Sequence, residues 1–169
     1  MKKLLTLLML LPFIGFAQNT YVPDDNFENY LEANGMGDGI ALNDSVFTSA
    51  INTVISLIID NLSISDLTGI EDFFSLETLR CNGNQLTALD VSANTALTGL
   101  NCIDNQLTTL GVSTNTSLLW LRCENNQLTA LDVSASTPLH TLICNNNLIT
   151  SLNLTNNPLL TGVKCDSNQ

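Results

Sequence analysis

The sequence predicts a solenoid in which short strands from successive coils stack side by side into one parallel sheet. Five cysteines, at positions 81, 102, 123, 144 and 165, follow one another at steps of 21 residues. Leucine (31), asparagine (22) and threonine (19) together fill 72 of the 169 positions, and many of them recur at the same step. A strict internal period of this length is typical of chains built from stacked repeat units.

The repeat unit contains one short strand. Around Leu79 and Cys81 apolar and polar residues alternate, which is the periodicity of a strand with one buried face. We therefore expect Leu79 and Cys81 to point inward and Thr78, Arg80 and Asn82 to point outward. Apolar columns with the same step follow the strand and close the coil from the opposite side: Leu86, Leu107, Leu128 and Ile149; Leu89, Leu110, Leu131 and Leu152; Val91, Val112, Val133 and Leu154. A unit of 21 residues has no room for a long helix, so that side should be extended or contain 3₁₀ turns.

A polar column follows each strand. It consists of Asn84, Asn105, Asn126, Asn147 and Asn168. An asparagine side chain can donate and accept hydrogen bonds at the same time, and it often bonds to backbone groups in turns. The column therefore predicts a ladder of side-chain amides that ends each strand and joins it to the turn.

Residues 1–17 have the pattern of an export signal. Lys2 and Lys3 open the segment, an apolar run extends from Leu4 to Phe16, and small residues at Gly15 and Ala17 suit a signal peptidase. The run is too short to span a membrane. The sequence predicts cleavage after Ala17 and a mature chain that is secreted or held at the outer cell surface, without membrane insertion.

Residues 18–54 are predicted to form a cap over the first coil. The segment from Pro23 to Asn34 has helical spacing, with Phe27, Tyr30 and Leu31 on one stripe. Asp24 or Asp25 can cap the helix, and Gly35 can end it. Residues 55–169 are predicted to be repeats, the first of which is 22 residues long and the last of which is incomplete at Gln169. Because a bare coil edge exposes strand backbone groups, we expect this chain to be a fragment of a longer protein.

The unit from Leu76 to Leu86, L-E-T-L-R-C-N-G-N-Q-L, resembles the leucine-rich-repeat consensus L-x-x-L-x-L-x-x-N/C-x-L, with Cys81 at the third leucine position. The stretch Asp66 to Asp72 resembles the entry of bacterial secreted leucine-rich-repeat proteins of the internalin type. The resemblance implies a parallel-sheet solenoid with a short α-helical N-terminal cap. It also implies recognition by the surface of the curved sheet.

The acidic charge balance argues against two kinds of partner, nucleic acid and anionic membrane surfaces. Asp and Glu number 16 against five Lys and Arg, for a net charge of −11. A general nucleic-acid binder needs a basic patch to neutralise phosphates, and an anionic membrane surface repels an acidic chain. The sequence therefore predicts neither partner, and it favours a monomer.

The cysteine column favours buried free thiols. Copies in neighbouring coils would lie about 4.8 Å apart with parallel side chains, whereas a disulfide needs Cβ atoms about 3.8 Å apart on converging bonds. Cysteine is also a common small core residue. A disulfide pair and a metal site remain alternatives, although zinc sites usually have closely spaced ligands.

No catalytic group, metal site or cofactor is predicted. The single histidine, His140, lacks an associated nucleophile and acid, so we expect a surface residue. The segment from Asn34 to Gly39 resembles a calcium loop only faintly, because Met36 occupies a ligand position. The protein is therefore predicted not to be an enzyme.

The outward side chains of the strands form what we call the strand face, the concave face of the predicted solenoid. Unlike the inward columns, they change from coil to coil. Tryptophan and arginine are enriched in binding hot spots, and Trp120 is the single tryptophan. The predicted ligand site consists of Trp120, Arg122, Arg80, Ile103, Glu124 and Ile143.

The sequence thus predicts an exported binding module that recognises a protein or a glycan at a cell surface. One alternative is a passive spacer or adhesin stalk in a larger surface protein. Another is the non-catalytic part of a larger secreted enzyme.

Overall fold

The computed structural model describes residues 18–169. The predicted export signal at residues 1–17 and its cleavage site after Ala17 lie outside the described residues. None of the helices in residues 18–169 has the length and apolar character needed to cross a bilayer. The described chain consists of an N-terminal cap followed by stacked coils.

The cap contains two short strands and two helices. They are β1 (Asn19–Tyr21), α1 (Asp25–Ala33), β2 (Ser45–Phe47) and α2 (Thr48–Ile51), and β1 pairs with β2 in antiparallel fashion. The predicted helix is confirmed as α1, with Asp24 as its N-cap: Asp24 Oδ1 accepts from the N–H groups of Asn26 and Phe27, each at 3.0 Å. The helix ends before Gly35, which has a φ of 71°.

The coils place six short strands in one parallel sheet. These strands are β3 (Ser56–Ile58), β4 (Thr78–Arg80), β5 (Gly99–Asn101), β6 (Trp120–Arg122), β7 (Thr141–Ile143) and β8 (Gly162–Lys164). Each pairs in parallel with the next, in the order β3 to β8. Leu79 lies opposite Leu100, and Leu100 lies opposite Leu121, so each repeat position stacks on its copy. The predicted solenoid is confirmed.

The side opposite the sheet is built from turns and extended segments, as predicted. A single 3₁₀ helix occurs among the described residues, at Ile70–Asp72 in the first coil. An isolated parallel bridge joins Asp90 to Gly111. Short turns such as Asn94 N–H to Val91 O and Leu97 N–H to Asn94 O shape this side of the coils.

One hydrophobic core runs through the cap and the coils. Phe27 and Leu31 of α1 belong to the same buried cluster as Leu79, Leu100 and the other inward leucines. The rings of Phe27 and Phe73 stack with centroids 6.3 Å apart, which joins the cap to the first coil. At the other end β8 pairs only with β7. Val163 and Cys165 are therefore exposed although their columns are buried elsewhere.

Candidate binding surface

Trp120 is the largest side chain of the strand face. It lies between Gly99 and Thr141 on the neighbouring strands. A Cβ atom added at Gly99 would overlap the indole ring, so the ring folds over Gly99 and fills the space that a side chain there would need. Trp120 is consequently half-buried. The position of the Trp120 ring therefore depends on glycine at position 99 in the preceding coil.

Arg122 is held in place by Glu124. Glu124 Oε1 accepts from Arg122 Nη2 at 2.7 Å and from Nε at 3.3 Å, which is a charge-assisted contact through two donors. The Arg122 side chain remains 44% exposed. Glu124, by contrast, is only 7% exposed, so it is more buried than its predicted role as a ligand contact required. Its role in this structure is to orient Arg122.

Arg80 forms the second ion pair of the strand face. Arg80 Nη2 lies 2.7 Å from Asp60 Oδ2, and Asp60 Oδ1 accepts from the N–H of Asn82. Asn101 occupies the row between Arg80 and Arg122 and is buried. The two guanidinium groups therefore lie two coils apart, with the short side chain of Asn101 in the coil between them. Each arginine is exposed on one side and restrained by a carboxylate on the other.

The remaining predicted residues border this group. Ile143 lies opposite Arg122 on β7, and Ile103 follows β5 in the row of Glu124; both are half-buried. Leu119, which precedes Trp120, is exposed and was not predicted. The structure brings five of the six predicted residues to the accessible strand face, whereas the sixth, Glu124, is buried and forms an ion pair with Arg122. The face thus combines aromatic, aliphatic and restrained cationic groups.

The cysteine column is a row of free thiols. Cys81, Cys102, Cys123 and Cys144 are buried, and Cys165 is exposed. Cys81 Sγ lies 3.5 Å from the carbonyl oxygen of Asn101, and Cys102 Sγ lies 3.6 Å from that of Arg122. Cys165 differs from the other four because no coil covers it among the described residues.

We expect native-state alkylation to distinguish these thiols. Burial, with a smaller contribution from Asp60, raises the pKa of Cys81 to about 12. Burial likewise raises the pKa of Cys144 to about 11, and it raises the pKa of Cys102 and of Cys123. Because the thiolate is the reactive form, iodoacetamide at pH near 8 should label Cys165 alone. Peptide mass spectrometry measures the labelled positions.

The control for this experiment is the denatured chain without reductant, in which all five cysteines should react. Rapid labelling of Cys123 in the folded chain would contradict its burial. A pair of cysteines that stays unlabelled after denaturation would instead indicate a disulfide.

The predicted asparagine ladder is present after the strands. Asn126 Nδ2 donates to the carbonyl oxygens of Cys102 (2.9 Å) and Cys123 (3.2 Å), and Asn126 Oδ1 accepts from the N–H of Leu107 at 2.9 Å. Asn84, Asn105 and Asn147 repeat this pattern. Each rung joins its own coil to the preceding one. The ladder therefore holds the strands in register beneath the strand face.

A second ladder on the opposite side was not predicted. Asn115 Nδ2 donates to the carbonyl oxygens of Val91 and Asn94, and Asn94 and Asn157 make equivalent bonds to their preceding coils. Ser136 occupies the third position of this column, between Asn115 and Asn157, and its side chain makes a single bond, from Oγ to the Asn115 carbonyl. The signal was present in the sequence, since these positions keep the 21-residue step.

Asp24 attaches the cap to the first coil. One carboxylate oxygen caps α1, and the other accepts from the N–H and Oγ of Ser65, both at 2.8 Å, and from the N–H of Asp66. Burial alone would raise the pKa of Asp24, but the bonds from Ser65, Phe27 and Asp66 lower it overall. The cap and the strand face thus share one rigid frame.

The structure also shows the surroundings of His140 and of the loop that faintly resembles a calcium site. His140 is exposed, as expected for a surface residue. In the Asn34–Gly39 loop, Met36 packs against the core. The N–H groups of Asp38 and Gly39 donate to the carboxylate of Glu32. Helix α1 therefore supplies the acceptor that closes this loop.

The repeated strand, the amide ladder and the helical cap define the class of this protein as a leucine-rich-repeat solenoid. No protein-family model matches the sequence. Internalin J from Listeria monocytogenes serotype 4b (strain F2365) is 38% identical over 77 residues, which are 46% of this chain and 8% of that protein. The chain therefore spans a small part of this relative.

Solved structures agree with this similarity. The functional domain of InlJ from Listeria monocytogenes, which includes a cysteine ladder, has a TM-score of 0.64 and 32% identity, covering 90% of this chain and 44% of that chain. A leucine-rich-repeat protein of Leptospira interrogans has a TM-score of 0.57 and 28% identity, covering 62% of this chain and 29% of that chain. This chain is internalin-like in fold and in its cysteine column. That fold supports a protein-binding repeat module.

Proposed function

We propose that this chain is an exported recognition module whose strand face binds a protein or a glycan at a cell surface, with Trp120 and Arg122 at the centre of the site. The observation that carries the proposal is the contrast between the two sides of each strand. Leu100, Leu121 and Leu142 repeat inward, whereas Gly99, Trp120 and Thr141 differ outward. Variation confined to one face of a constant scaffold suits recognition.

The arrangement of the side chains supports binding. The Trp120 ring is supported from below by Gly99, and Glu124 restrains Arg122. Groups that are already ordered lose little conformational entropy when a ligand arrives. Aromatic and arginine side chains in such a setting commonly dominate binding energy. Predicted export through residues 1–17 would bring this face to the cell exterior.

Replacement of Trp120 by alanine should strongly weaken binding at the strand face and preserve the fold. To find ligands, the labelled wild-type chain is applied to an array of cell-surface protein ectodomains and to a glycan array. Each bound molecule is then titrated against the variant. We expect affinity to fall at least about tenfold, because a central aromatic anchor contributes more than about 1.4 kcal/mol.

Phe74→Ala provides the matched control, since Phe74 is an exposed aromatic residue outside the six strands. It should leave the titrations unchanged, and circular dichroism should show the same fold for both variants. Ligands that bind Trp120→Ala as tightly as wild type would refute the site. Failure of both arrays to yield any ligand would instead favour the spacer interpretation.

A further inference from the structure

The negative charge of the chain is concentrated at its N-terminal end. Residues 18–79 contain 11 of the 16 Asp and Glu residues and no Lys, Arg or His. Residues 80–169 contain the other five acidic residues together with Arg80, Arg122 and Lys164. Both ion pairs found among the described residues lie on the strand face. The cap, residues 18–54, carries six of these acidic residues and no Lys, Arg or His, so its surface is acidic without neutralisation by basic side chains of its own.

The outer face of the β1–β2 strand pair carries two uncovered aromatic side chains beside the hydrogen-bonded polar pair Asn19 and Ser45. Tyr21 is 61% exposed and Phe47 is 38% exposed, whereas the intervening Thr20 and Val46 point into the core. Asn19 pairs with Phe47, and Tyr21 pairs with Ser45, so the two aromatic residues are diagonal neighbours. Such neighbours lie about 7–8 Å apart, within reach of aromatic side chains. They form one patch rather than two isolated residues.

Carboxylates lie at the Tyr21 end of this strand pair, next to Ser45. Asp44 directly precedes β2, and one of its carboxylate oxygens lies within 4.8 Å of one oxygen of Asp25 and one oxygen of Glu28. Both Glu28 oxygens already accept from backbone, one from the N–H of Asn43 and one from that of Asp44. Asp25 and Asp44 are exposed. Their proximity concentrates negative potential at the end of the strand pair where Ser45 lies opposite Tyr21, which favours an incoming cationic group.

We propose that this cap face (Tyr21, Phe47, Asp25 and Asp44) is a second docking surface, separate from the strand face, for a basic segment of a partner protein. The segment would present Lys or Arg to Asp25 and Asp44 and an apolar side chain to Tyr21 and Phe47. Charge complementarity selects this occupant, because a second copy of the chain would bring an equally acidic surface. Nucleic acid and anionic lipid are repelled for the same reason.

A short synthetic peptide of alternating lysine and leucine, labelled with fluorescein, is the probe. Fluorescence anisotropy measures its affinity for the full chain in low salt with a chelator present. A lysine–serine peptide of equal length and charge should bind the wild type at least about tenfold more weakly, because it lacks the apolar side chains. This comparison needs no variant and so does not depend on the folding of one.

Two double variants test whether the peptide binds at the cap face. Asp25→Asn with Asp44→Asn, and separately Tyr21→Ser with Phe47→Ser, should each weaken binding about tenfold. The matched control is Asp90→Asn with Asp132→Asn, which removes two exposed carboxylates far along the chain whose Asx turns asparagine can retain. It should change affinity less than about twofold, as should Trp120→Ala.

Three outcomes would overturn the proposal. The lysine–serine peptide could bind as tightly as the lysine–leucine peptide, or the Asp90/Asp132 variant could lose as much affinity as the Asp25/Asp44 variant. Either result would show that the peptide binds through the net charge of the chain and not at the cap face. Concentration-dependent self-association of the wild type that Tyr21→Ser with Phe47→Ser removes would show that a second copy covers this face.

Discussion

Replacing Asn126 by alanine is expected to lower the free energy of unfolding by about 3 kcal/mol, because the buried Leu107 N–H loses its acceptor, at about 1–3 kcal/mol, and the further hydrogen bonds to the Cys102 and Cys123 carbonyl oxygens are lost at about 0.5–1.5 kcal/mol each. The side chain joins three backbone groups on two coils: the N–H of Leu107 and the carbonyl oxygens of Cys102 and Cys123. Alanine leaves the Leu107 N–H buried without an acceptor. Urea unfolding followed by circular dichroism measures the loss.

The control is Gln127→Ala, which changes the next residue. Gln127 is exposed, and its side chain makes no hydrogen bond within the described part of the chain, so its replacement should alter stability by less than about 0.5 kcal/mol. Equal effects of the two substitutions would show that the ladder does not hold the coils together. Asn126→Asp tests the donors separately, because it keeps Oδ1 and removes the amide N–H groups.

Asp24→Ala should cost about 2–4 kcal/mol, combining the loss of a helix cap with the loss of charge-assisted hydrogen bonds to the first coil. The substitution removes the acceptor for Asn26 and Phe27 at the start of α1. It also removes the acceptor for Ser65 and Asp66 in the first coil. Thermal unfolding measures the effect, and Asp25→Ala serves as the neighbouring exposed control.

The stability conferred by Asp24 should depend on pH. Its pKa in the folded chain lies below the ordinary value of 3.8, because the hydrogen bonds that favour the carboxylate outweigh the opposing effect of burial. A group with a lowered folded pKa stabilises the fold at pH values above its unfolded pKa and loses that contribution as the pH falls. The stability difference between wild type and Asp24→Ala should therefore be constant near neutral pH and shrink below about pH 4. A constant difference at all pH values would contradict this role.

The strand face and the amide ladder depend on each other. Asn126 bonds to the carbonyl oxygen of Glu124 as well as to those of Cys102 and Cys123. Glu124 in turn orients Arg122. The residues proposed to contact a ligand are thus anchored by the residues that stack the coils. A stable solenoid and an ordered binding surface have the same physical basis.

The repeated part of the fold was predictable because its information is local and periodic. Alternation around Leu79 and Cys81 identified the inward side of each strand, and the Asn84 column identified the ladder. Two features of the cap were not predicted. Strands β1 and β2 are each three residues long, too short for a pattern to be recognised. The link from Asp24 to Ser65 joins residues 41 positions apart, which no local spacing reveals.

By itself, the amino-acid sequence determined the period, the parallel stacking, the cap helix and which columns face inward. These follow from residue types that recur at a constant step. Only the tertiary structure decided how the irregular outward side chains lie: Trp120 over Gly99, Glu124 paired with Arg122, and Cys165 exposed at the last coil. The physical reason is that a side chain on this face takes the space that its neighbours in adjacent coils leave, and that space depends on residues that do not repeat.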